Sequence, residues 1–143
     1  MNLRPILFCA ALLLGACTAP PPPSYPQAQL ENTYWKLMTL GGDAVATPEG
    51  AREVQFVLHR EGHRLAGFSG CNSMMGAYTL EHEKIVFSNM GGTRMACANT
   101  MDLELRVHQM FSSVAFWKIS GESLSLIDSR GKEIATFESR YMK

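Results

Sequence analysis

Two cysteines set in glycine-rich stretches are the residues of this chain best suited to chemistry. Cys71 stands beside Asn72 in GFSGCNSMMGAY, residues 67–78, and Cys97 closes GGTRMAC, residues 91–97. Three chemistries use such a pair. A thiolate is a nucleophile when a base lies within hydrogen-bond reach. Thiolates joined by histidines bind zinc. Two thiols in an oxidising compartment form a disulfide. The histidines do not single out either of the first two. His59, His63 and His82 fall at or beside hairpin turns and His108 falls on a helix, none placed by the sequence beside a cysteine. His59 and His63 are separated by a turn, so they form no helical metal pair. Serine-hydrolase and phosphate-loop patterns are absent. No catalytic residue, metal ligand or cofactor is therefore assigned.

The choice among these chemistries depends on compartment, and the N-terminus bears on it. Arg4 precedes an apolar run, Ile6 to Leu14, that is too short to span a bilayer and ends in small residues. Such a run is an export signal. Its ending, Leu14-Gly15-Ala16-Cys17, resembles the bacterial lipobox. The resemblance implies that residues 1–16 are removed and that Cys17 carries acyl chains, which are palmitate-like anchors. Each buried methylene contributes roughly 0.8 kcal/mol, so several chains hold a protein at a membrane stably. Thr18, rather than an aspartate, follows the cysteine, which favours the outer membrane over the inner one. Residues 17–29 hold five of the seven prolines and read as a polyproline tether. At about 3.1 Å per residue it reaches roughly 35 Å from the bilayer.

Residues 30–143 are enough for one domain with one core. Basic and acidic residues number 13 each over the whole chain, and no basic patch stands out. That speaks against a nucleic-acid partner. Of four cysteines, Cys9 leaves with the signal and Cys17 takes lipid, leaving Cys71 and Cys97 as an even pair. A disulfide is the reading that an oxidising compartment favours. Two buried thiols, or a reactive or metal-binding cysteine, are the alternatives.

These cysteines must be positioned by a mostly β framework. Thr33 to Leu40, Glu53 to His59, Arg64 to Gly70, Gly76 to Leu80 and Lys84 to Ser88 alternate or carry branched and aromatic residues between polar turns. After Cys97 the period changes. Leu103, Val107, Met110, Phe111 and Val114 recur at helical spacing, with Asn99 or Thr100 as cap and Asp102 and Glu104 in the first turn. Three further strands follow as two hairpins. About eight short strands joined by tight turns make an antiparallel sheet. The expected class is α+β: a small, strongly curved antiparallel sheet or partly open barrel of about eight strands with one packed helix.

Within that frame the early YWKL, Gly70-Cys71-Asn72 with Gly76-Ala77-Tyr78, Thr93-x-Met95-x-Cys97, a helix with an early glutamate, ISGESLSLID and ATFE occur in order. Together they resemble the META domain, or HslJ-like, family over residues 30–140. The resemblance implies a small antiparallel β fold with a helix in envelope proteins tied to stress responses, secretion and motility. It implies no enzyme and brings no catalytic residues. At fold level it is also similar to a lipid-binding pilot lipoprotein of secretion systems.

Asn72 is expected to bond its own backbone two residues on and to tolerate a left-handed conformation. Gly67, Gly70 and Gly76 suit bends or bulges. Met74, Met75, Met90 and Met95 crowd the two cysteine loops, as core filler or as an adaptable binding surface. Trp35 and Trp117 read as core aromatics. The expected protein is an outer-membrane-anchored periplasmic lipoprotein whose META domain is a non-enzymatic structural or binding module in envelope maintenance or stress tolerance. The alternative is a lipid- or peptide-binding carrier, pilot-like, for secretion. Its expected partners are the membrane, through the acyl chains on Cys17, and an envelope protein or apolar ligand.

Overall fold

The computed structural model describes residues 26–140. The signal, the lipidation cysteine Cys17 and the first part of the tether lie outside the described residues.

Strand β1, Tyr34–Leu40, lies at the closure of the sheet. Trp35 and Leu37 point inward, and a bulge between Leu37 and Thr39 resets the alternation so that Leu40 also turns in. A two-residue strand β2, Asp43–Ala44, folds back on its end. It has no counterpart in the expected elements, because two residues are too few to carry a period. Strands β3 (Gln55–His59) and β4 (Arg64–Phe68) form a hairpin around a single 3₁₀ turn at Glu61–His63. Strands β5 (Ser73–Glu81) and β6 (Lys84–Gly92) form the next one, with His82 in the left-handed region at the turn. Helix α1, Met101–Ser113, follows. Strands β7 (Val114–Ser120), β8 (Ser123–Asp128) and β9 (Glu133–Arg140) complete the chain as two hairpins.

Every neighbouring pair is antiparallel, and β9 returns to pair with β1 from Tyr34↔Arg140 to Leu40↔Ala135. The expected curved sheet thus closes into an eight-strand barrel, β1-β3-β4-β5-β6-β7-β8-β9, with one helix. Closure covers most of the exposed edge that an open sheet of short strands would carry.

One seam is loose. Strands β6 and β7 share a single residue pair, Lys84↔Phe116, whereas β5 and β6 pair from the turn to Met74↔Gly92. Helix α1 makes the crossing between β6 and β7. Val107, Met110 and Phe111 are its buried residues. Phe111 meets Phe87 of β6 edge-on at 4.9 Å and Phe56 of β3 at 5.6 Å, and Phe56 meets Phe137 at 4.9 Å. Edge-to-face pairs at these spacings add to the apolar burial of each ring. Leu103 is only half-buried, and Val114 opens β7 instead of continuing the helix. Thr100 occupies the N-cap position, but its hydroxyl is buried without a partner among the described residues. The expected side-chain cap is therefore not made.

Ahead of β1, the Ala28 N–H bonds the Gly121 carbonyl at the β7–β8 turn, and Trp35 Nε1 donates to the Leu30 carbonyl at 2.9 Å. Trp35 is fully buried, as expected. Trp117 is only half-buried, and its indole nitrogen finds no acceptor among the described residues.

Candidate functional site

Cys71 and Cys97 are joined by a disulfide, with Cα atoms 5.8 Å apart and a sequence separation of 26. Of the three chemistries open to the pair, the bond selects the staple and leaves no free thiol at either position. The bridge ties the segment between β4 and β5 to the loop that leads into α1.

Asn72 supports the same junction, by a different route from the one its sequence position suggests. Its backbone is not left-handed; Gly70, two residues earlier, takes that conformation with φ of 109°. The Asn72 side chain reaches across to the 93–95 loop and to the helix. Its Oδ1 accepts the Met95 N–H at 2.7 Å and the Thr93 hydroxyl at 2.8 Å. Its Nδ2 donates to the Met95 carbonyl at 3.0 Å and to Glu104 at 3.0 and 3.1 Å. The amide has therefore used its donors and acceptor in full. Ser69 is buried, and its hydroxyl lies within reach of Glu104 Oε1 at 3.1 Å and the Asn72 carbonyl at 3.0 Å. A buried amide satisfied on every side fixes the loops it joins.

Glu104, expected only as a first-turn acid of the helix, also bonds Asn72. A first-turn glutamate suits the helix dipole, and that account was sufficient on local grounds. In the fold it turns toward Asn72, with His108 Nε2 3.7 Å away one helical turn later. The signal that could have found it is the pairing of an early helix glutamate with the Gly-Cys-Asn block.

The framed loops border an open groove of about 730 Å³ between Gly91–Met95 and the first two turns of α1. Its large exposed apolar side chains are Met95 (59% exposed), Met101 (57%) and Leu105 (57%). The other methionines divide. Met74 is core, Met75 is exposed and Met90 is half-buried; all three lie in strands β5 and β6 and not in loops. Strands β5 and β6 are longer than the glycine content suggests. A β-carbon on Gly92 would collide with the Ser73 carbonyl, and one on Gly76 would meet the Met90 sulfur. These glycines permit close strand approach. Gly76 faces a bulge in β6, where Asn89 is left-handed.

Tyr78, the last of the block's residues, lies elsewhere. Five residues along β5 from Ser73, about 17 Å away, its ring is buried and its hydroxyl bonds Glu31 and the His59 carbonyl. Arg60 Nε donates to the other Glu31 oxygen at 2.8 Å. The Tyr78 hydroxyl first, then Arg60, hold the Glu31 carboxyl below its ordinary value. Burial, followed by the Glu31 hydrogen bond, pushes the Tyr78 phenol upward.

Among the described residues, no group of three His, Cys, Asp or Glu converges as a metal site, and no helix is long and apolar enough to cross a membrane.

An NMR structure of a protein from Burkholderia xenovorans is 26% identical, covers 87% of this chain and 100% of that one, and superposes with a TM-score of 0.65. A second NMR structure, 21% identical over 76% of this chain and 90% of that one, superposes at 0.60 and shows the shared fold alone. No curated protein matches the chain significantly. The family model described as META domain matches residues 28–141, nearly the whole of the barrel and both cysteine blocks. The chain belongs to the META domain family.

Proposed function

We propose that this chain is an outer-membrane-anchored periplasmic lipoprotein whose META domain is a non-enzymatic binding module in envelope maintenance or stress tolerance. The groove beside α1 is its binding face. The observation that carries this reading is the contrast within the groove. A disulfide and a saturated amide network immobilise the loop, and that loop holds Met95 in solvent beside Met101 and Leu105. Thioether side chains are adaptable contact groups. A rigid frame lowers the ordering cost of binding through them.

The disulfide supports a non-enzymatic reading, since it consumes the two thiols that a nucleophilic mechanism would need. The carrier alternative now has a narrower form. Trp35, Phe56, Leu58 and Phe137 fill the space inside the barrel, each at most 1% exposed. An acyl chain or apolar peptide would therefore lie in the surface groove and not within the barrel.

The anchor is tested with Cys17→Ala. The variant is expected in the soluble fraction without acyl mass, and its persistence in membranes would remove the anchor from the proposal. The groove is tested by methionine-methyl NMR of the protein in envelope extract. Selective shifts at Met95 and Met101 are expected. Shifts confined to other methionines would move the binding face.

A further inference from the structure

The groove has a second wall that bears on what it binds. Strand β6 is paired to β5 along Lys84–Gly92, but on its other side β7 meets it only at Lys84↔Phe116. Antiparallel strands turn their N–H and C=O groups alternately to either side. The Thr93 N–H bonds the Ser73 carbonyl across the β5 side. By alternation, Gly92 turns its own peptide groups away from β5, toward the groove that it lines. Gly91 beside it is exposed, and a β-carbon there would meet nothing within 4 Å. The edge is bare at this point. Lower down it is closed off, because Phe87 packs on Phe111 and Asn89 breaks the strand with a left-handed bulge.

We infer that residues 90–92 of β6 accept a short extended segment of another polypeptide as an added strand, with Met95, Met101 and Leu105 receiving its alternate side chains. This rests on the groove being the binding face. The backbone decides the class of occupant. A lipid tail would cover the apolar wall, yet it would strip water from the Gly92 peptide groups and return no hydrogen bond, which is unfavourable. A strand replaces those bonds with its own main chain and offers side chains at every second position to the wall, as in other β-augmentation sites. The bulge at Asn89 limits the pairing to a few residues and so fixes its register.

The test uses the mature protein in nanodiscs and a phage-displayed library of random linear dodecapeptides. Selected peptides are expected to carry apolar residues at alternate positions. Resynthesis with alternate amides N-methylated should weaken binding at least tenfold in one register and little in the other. Hydrogen exchange at the Gly92 amide should slow in the complex. Leu105→Glu, a change on an exposed side chain, should abolish binding while leaving the fold intact. Peptides selected with helical spacing, or indifferent to N-methylation, yet lost with Leu105→Glu, overturn strand addition and leave the groove reading standing. Binding that survives Leu105→Glu overturns both. Failure to select any peptide overturns strand addition.

Discussion

Strand β5 carries two polar clusters, one at its Ser73 end and one at Tyr78 toward the other, and the two are built from similar parts to opposite effect. At the Ser73 end, Glu104 accepts from the Asn72 amide, and Asn72 in turn grips the 93–95 loop. At the Tyr78 end, Glu31 accepts from a phenol and from Arg60. Each joins segments far apart in sequence through one carboxylate. The Tyr78 cluster seals the barrel where the chain enters it, and the aromatic ring is buried beneath. The Asn72 cluster leaves its loop outside and surrounds it with half-exposed methionines. A satisfied polar network therefore does not by itself mark either a seal or a site; what it holds in solvent makes the difference.

Changes at four places, the disulfide, Asn72, Tyr78 and Met95, would break or sharpen this contrast. The largest effect is expected from Cys71→Ser. Removing a cross-link over 26 positions costs about 3.5 kcal/mol on the chain-entropy account. Cys97→Ser should cost the same, and the double variant no more, as read by urea unfolding. Strongly additive losses would mean that the cysteines contribute separately. Next is Asn72→Ala. It leaves the Met95 N–H and carbonyl and the Glu104 carboxylate without their shared partner, for a loss of about 2–3 kcal/mol. Hydrogen exchange should quicken in the 93–97 loop and not at Tyr78; equal quickening at both ends would join the two clusters into one.

Tyr78→Phe should cost about 1 kcal/mol at neutral pH, and its cost should depend on pH. Glu31 is held below its ordinary value of 4.5 in the fold, first by the Tyr78 hydroxyl. Stability from a depressed carboxyl is present above that ordinary value and is lost as pH falls through the folded one. The gap in melting temperature between wild type and variant should thus shrink on acidification below 4.5. A constant gap would show that the hydroxyl acts independently of the carboxylate charge. The smallest stability effect is expected from Met95→Gln, within about 0.5 kcal/mol because the side chain is exposed. A large loss of stability there would make Met95 a packing residue and weaken the contrast between the two ends.

Much of the barrel was legible because its signals are local. The alternation of β3, the turns at Gly62, Gly121 and Gly131, and the helical spacing of Val107, Met110 and Phe111 all sit within a few residues of one another. The cysteine pairing was legible by count and compartment. The extent of β5 and β6 was not, because Ser73 to Met75 and Asn89 to Gly92 read as parts of the cysteine loops, when Gly92 lets neighbouring strands come close there. Closure by β1 and β9 joins residues about a hundred positions apart, and no local period encodes it. Asn72 illustrates the same limit within the site. A side chain able to bond its own turn is read locally, but here its partners lie 21 to 32 positions away.

The bond from the Ala28 N–H to the Gly121 carbonyl brings the start of the domain to the β7–β8 turn. That turn lies at the end of the barrel where β6 begins, and the groove opens where β6 finishes, eight strand steps or about 26 Å away. The chain thus enters the barrel at one end and presents Met95, Met101 and Leu105 near the other.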